Sequence, residues 1–116
     1  MNLLVLDESL ELAVLLGRGA PARRWEPHFV GSLLELELAV RSSGRPAAVV
    51  VNLQAPLTAW ELGQRLRGLR LDSPVVVLGP AGSAGPAPGL TGVQWVDRPA
   101  DEGELTAALE RALSRL

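Results

Sequence analysis

Four positions in this chain carry groups that could act together. Asp7 and Glu8 follow one apolar run, Asn52 ends another, Gly79 ends a third, and Arg98-Pro99 follows a fourth. Carboxylates accept hydrogen bonds or bind hard cations, an amide both donates and accepts, and a guanidinium brings a permanent positive charge. Asp7, Glu8 and the Asn52 oxygen could therefore hold a divalent ion such as Mg²⁺ weakly. Alternatively Arg98 pairs with Asp7 or Glu8, because an adjacent cation relieves the repulsion between neighbouring carboxylates. The amide of Asn52 is uncharged and a poor nucleophile, so no catalytic role follows for it. The same residues also have structural readings. Asp7 and Glu8 serve as helix N-caps, which the helix dipole favours. Asn52 serves as a turn former, and Arg98 as a surface charge.

Other chemistry is excluded more firmly. The chain has no Cys, which rules out disulfides, thiolate nucleophiles and Cys-bound metals and fits a reducing compartment. All 11 basic residues are Arg, so every mechanism that needs an ε-amine is gone. His28 is the one histidine, and it falls on a weak strand, which gives no basis for a His metal site or a catalytic triad. No G-x-S-x-G occurs, and no G-x-G-x-x-G follows the first strand. A net charge of −2 gives no electrostatic case for nucleic acid or an anionic membrane. Met1-Asn2 leads into an apolar strand without a basic leader, and no apolar run reaches membrane-spanning length. A cytoplasmic protein without a membrane anchor is expected.

The elements that must position these groups read as alternating strands and helices. Residues 1–116 make one domain by size. Leu3–Leu6, Ala48–Val51 and Pro74–Leu78 are short unbroken apolar runs, the pattern of parallel strands buried on both faces. Arg23–Val30 is a weaker strand whose Pro27 suits an edge. Val93–Asp97 is the fifth. Helices follow at Leu10–Leu16, from the Ser32–Glu35 capping box to about Ser42, from the Thr58–Glu61 capping box to about Leu69, and from Asp101 to the C-terminus. Trp25 and Trp60 read as packing residues, and Arg23-Arg24 as a solvated edge. Strands joined by helices call for a parallel sheet with right-handed crossovers, here an α/β flavodoxin-like, doubly wound sheet of order 2-1-3-4-5. Between strands four and five, residues 79–89 hold four Gly and three Pro, too many for a helix. The fourth helix is expected to be lost or reduced.

The ordered set resembles the receiver domain of bacterial response regulators over nearly the whole chain. In that family an Asp stands where Asn52 stands, and it takes a phosphoryl group from a histidine kinase. The resemblance maps the acidic pair onto Asp7-Glu8, the Pro beyond the acceptor onto Pro56, and the hydroxyl ending strand four onto Gly79. It maps the Lys-Pro after strand five onto Arg98-Pro99, and the aromatic switch residue onto Trp95. It thus implies a degenerate, pseudo-receiver member whose phosphorylation pocket has lost its acceptor, its hydroxyl and its lysine.

The expected function is a phosphorylation-independent protein–protein interaction module in two-component signal transduction. It is expected to be non-enzymatic and without a cofactor. Its partner is a protein of unknown identity, with homodimerisation open, and its interaction surface includes Trp95. One alternative is a small-ligand or nucleotide binder using the crevice at the strand carboxyl ends. A third reading has Glu8 or Asp7 as a phosphoryl acceptor.

Overall fold

The unbroken apolar runs become the interior strands of one sheet. The computed structural model describes residues 1–7, 9–19, 23–54, 58–69, 73–80 and 93–114. Five strands form, β1 (Asn2–Leu6), β2 (Glu26–Val30), β3 (Ala48–Asn52), β4 (Val75–Pro80) and β5 (Gln94–Arg98). Four helices accompany them, α1 (Glu11–Gly19), α2 (Leu33–Ser43), α3 (Ala59–Gly68) and α4 (Glu102–Leu113). The strands are all parallel, in the order β2-β1-β3-β4-β5. No described residue between β4 and β5 is helical, and the stretch joining them runs through 81–92, outside the described residues. The lost or reduced helix expected there falls on that stretch.

Strand alternation splits the core into two layers. Leu3, Val5, Val50, Val76, Leu78 and Val96 face α1 and α4. Leu4, Leu6, Val49, Val51, Val75 and Val77 face α2 and α3. Full burial of each such side chain stabilises the fold by about 1.5–3 kcal/mol, so these interior strands hold the ends of the sheet in fixed register.

The second strand is shorter than its sequence suggests and starts at Glu26. The Glu26 N–H donates to the Met1 carbonyl at 2.8 Å, and the Asp7 N–H donates to the Val30 carbonyl at 3.0 Å. In a parallel ladder these bonds turn the backbone of residues 26, 28 and 30 toward β1. Pro27 therefore faces outward at the open edge, where its missing N–H leaves no ladder bond unmade.

The caps follow the sequence. Ser32 Oγ accepts from the Glu35 N–H at 3.1 Å, Thr58 Oγ1 from the Glu61 N–H at 3.2 Å, and an Asp101 oxygen from the Glu104 N–H at 2.8 Å. The Glu35 carboxylate reaches back to the Gly31 N–H, one residue before the cap, at 2.8 Å. Trp25 is buried as expected, with the Arg23 guanidinium 5.6 Å from its ring centre. Trp60 departs from the packing role expected of it. It is 55% exposed, because Leu62, Gly63 and Leu66 are the residues α3 turns inward and Trp60 points the other way.

Candidate functional site

The carboxyl ends of the strands bring Asp7, Asn52 and Arg98 together, with two residues of the β1–α1 junction beside them. Asp7 is buried immediately after β1. Its Oδ1 accepts from the Ser9 N–H at 3.0 Å and the Ser9 hydroxyl at 2.9 Å, and its Oδ2 accepts from the Leu12 N–H at 2.6 Å. The last bond has a structural cause. Leu10, with φ of 65°, occupies the place where a helix cap belongs, and its side chain cannot accept a hydrogen bond. Asp7 reaches over from the strand and caps α1 in its stead.

Asn52 ends β3 and is buried. Its Nδ2 lies 3.0 Å from Asp7 Oδ1, 3.1 Å from Ser9 Oγ and 3.2 Å from Glu11 Oε2. Its Oδ1 accepts from the Arg98 guanidinium. The electrostatics allow this orientation alone: turned over, the amide would set its oxygen against two carboxylates and its N–H groups against a cation. Two hydrogens serve three acceptors, so at least one is shared. Asp7 Oδ1 in turn receives three donors, which leaves that oxygen little capacity for anything else.

Arg98 closes the arrangement from β5. It donates to the Leu53 carbonyl at 3.1 Å as well as to Asn52, and its Nε lies 3.4 Å from Glu11 Oε2. That last contact is within ion-pair distance, yet the buried Nε–H makes no hydrogen bond, so the attraction is coulombic. The sequence pointed to Asp7 or Glu8 as the partner of Arg98, whereas the carboxylate described beside it is Glu11. Asp7 is turned toward the start of α1, where three donors engage it, and Glu11 stands one helical turn further on, beside the Arg98 guanidinium. Glu8 and Pro56 lie outside the described residues. Gly79 is buried in β4, in register with Asp97, and brings no side chain to the pocket. Pro99 is exposed and follows Arg98 through a cis peptide.

Ser9 and Glu11 were not legible as site residues. An acidic residue in a first helical turn reads as a complement to the helix dipole, and nothing in the pattern aims it at β5. Trp95 stands apart from the pocket. It pairs in register with Val77 and packs, partly buried, on the α2–α3 side of the sheet. A groove of about 420 Å³ lies at the opposite end of the sheet, bordered by Asn2, Glu26, His28, Ser43 and Pro46. Among the described residues no group of three or more His, Cys, Asp or Glu is placed to hold a metal ion. No described helix is long and apolar enough to cross a membrane.

Burial opposes ionisation of Asp7, but the hydrogen bonds from Asn52, the Ser9 N–H, the Leu12 N–H and the Ser9 hydroxyl outweigh it, and its carboxyl is held below the usual range.

No protein-family model matches the sequence, and no curated protein is similar to it by sequence. The structure, in contrast, has the fold of response-regulator receiver domains. The chain is similar to a sensor protein from Polaromonas sp. JS666, at 24% identity with a TM-score of 0.74, covering 98% of this chain and 96% of that one. It is similar to a response regulator receiver protein from Sinorhizobium medicae WSM419, at 18% identity, TM-score 0.72, covering 97% and 93%. It is also similar to the receiver domain of the sensor histidine kinase PA1611 from Pseudomonas aeruginosa PAO1, at 14% identity, TM-score 0.74, covering 97% of each chain. That structure has a magnesium ion coordinated in its active-site cleft.

Two outcomes are expected from this geometry. Because the Asp7 carboxyl is depressed in the folded state, its contribution is in force above the unfolded-state value of about 3.9 and is lost as pH falls through the lower folded value. Urea denaturation of wild type and Asp7→Asn should therefore differ by about 1–3 kcal/mol at pH 7, and the difference should shrink below about pH 4. A gap that stays constant down to pH 2 would contradict the assignment. Arg98→Ala should lower stability by about 1–3 kcal/mol, since it strips the buried Asn52 oxygen and Glu11 of their cation. An unchanged urea midpoint would show Arg98 to be energetically idle.

Proposed function

We propose that this chain is a receiver-like module that engages a protein partner without being phosphorylated. One observation carries the reading: the Asn52 amide, at the position the resemblance assigns to a receiver's acceptor carboxylate, is hydrogen-bonded on both sides. In receivers, Mg²⁺ held by acidic side chains neutralises an incoming phosphoryl group. Here the amide N–H groups engage Asp7, one of the carboxylates such an ion would need, together with Glu11, and the Arg98 guanidinium closes the other side. No nucleophile is present at position 52, and Gly79 offers no hydroxyl to a phosphoryl oxygen. The module acts in two-component signalling by contact rather than catalysis, in the cytoplasm, with no nucleic acid or membrane partner.

The receiver fold supports a signalling role, and the pocket supports its constitutive form. The partner surface we propose includes β5, α4 and the segment between β4 and β5, with Trp95 as an anchor. Trp is among the residues that most often dominate binding energy. A receiver's relay needs a hydroxyl at the end of the fourth strand to pull the aromatic residue of the fifth. Gly79 has none, so Trp95 keeps one position.

Incubation with acetyl phosphate and Mg²⁺ should leave the intact mass unchanged. Asn52→Asp alone should not restore efficient labelling, because Gly79 and Arg98 remain. A hydroxylamine-labile gain of one phosphoryl group on the wild-type chain would overturn the reading. Capture of partners on immobilised protein should weaken with Trp95→Ala. A folded variant that captures them equally well would place the interface elsewhere.

A further inference from the structure

Helix α2 turns two leucines away from the sheet. Leu34 and Leu38 are 64% and 57% exposed and lie one turn apart, on the side opposite Leu36, the buried residue of this helix. A single exposed leucine is ordinary. Two on one stripe of a well-capped surface helix form an apolar strip that nothing in the described chain covers.

The charges along the strip indicate what could cover it. Glu35 lies in the first turn and Arg41 in the last, each three residues from Leu38. Glu37, on the flank toward α3, pairs with Arg65 at 3.5 Å. Arg41 is exposed and has no carboxylate partner among the described residues. The face is therefore acidic at one end, apolar in the middle and basic at the other. A surface of that kind is complementary to itself when a second one runs the opposite way.

We infer that the outer face of α2 is a self-association surface whose occupant is α2 of a second copy of this chain, packed antiparallel about a two-fold axis near Leu38. Leu38 then packs against the same residue of the second copy. Arg41 covers Leu34 of the other helix, and its guanidinium comes within reach of the acidic first turn. The antiparallel arrangement also brings the negative end of each helix dipole to the positive end of the other. Such a contact is isologous and closes at two copies, giving a dimer rather than a fibre. Stable interfaces bury roughly 1,600 Å² in total, more than one helix face offers, so the association is weak. The surface lies away from β5 and α4, and the inference stands whether or not those elements bind another protein.

Sedimentation velocity from about 10 µM to about 1 mM, a range that spans weak association, tests it. The wild-type chain should shift from monomer toward dimer across that range. Leu38→Glu and Leu34→Glu should each stay monomeric with an unchanged circular-dichroism spectrum, since both side chains are exposed. Arg41→Glu should weaken the dimer about tenfold or more, while Arg41→Lys should largely retain it. A wild-type chain that remains monomeric throughout would overturn the inference, as would a dimer that both leucine substitutions leave intact.

Discussion

The carboxyl edge of this sheet is organised by one amide. Asn52 presents its N–H groups to Asp7, Ser9 and Glu11 and its oxygen to Arg98, because an amide carries two N–H donors on one arm and an acceptor oxygen on the other. Through it β3 is tied to the β1–α1 junction on one side and to β5 on the other. An aspartate there would keep the bond to Arg98 and turn the contacts with Asp7 and Glu11 into repulsions, which a cation would then have to relieve. The choice between amide and carboxylate is thus a choice between a pocket whose polar groups satisfy one another and one that carries a further negative charge.

The sheet makes this economical. β1, β3 and β4 are buried on both faces, so their register is fixed and the positions of Asp7 and Asn52 follow from it. Asp7 also supplies the cap that Leu10 cannot, which fastens the start of α1 and holds Ser9 and Glu11 beside the amide. Its low carboxyl affinity for protons and its saturated oxygen express the same fact: the hydrogen bonds that order the helix are the ones that fill the site. On this account the residual chemistry of the pocket is structural, and function moves to the surfaces of the domain.

Much of this was legible in the sequence because it rests on local rules. Unbroken valine and leucine runs announced buried parallel strands, Pro27 announced an edge, and Ser32, Thr58 and Asp101 announced helix starts. The convergence of Asp7, Asn52 and Arg98 followed from strand ends sharing one side of a doubly wound sheet. What could not be read depended on side-chain direction. Glu11 rather than Asp7 stands beside Arg98 because Asp7 is drawn to the helix start, and the signal for that is an uncapped Leu10 whose consequence emerges only in three dimensions. Trp60 was expected to pack, yet it lies on the outward side of α3, a matter of helical phase that a lone aromatic cannot fix.

The central claim is that the Asn52 amide, not a bound cation, holds the acidic groups together. The side-chain amide of Asn52 reports on this directly through its ¹H–¹⁵N resonances. During a titration with Mg²⁺, and with Mn²⁺ as a paramagnetic probe of weak binding, those resonances should neither shift in a saturable way nor broaden selectively. A saturable shift with Mg²⁺, together with selective broadening by Mn²⁺, would show that an ion enters the pocket and would contradict the account.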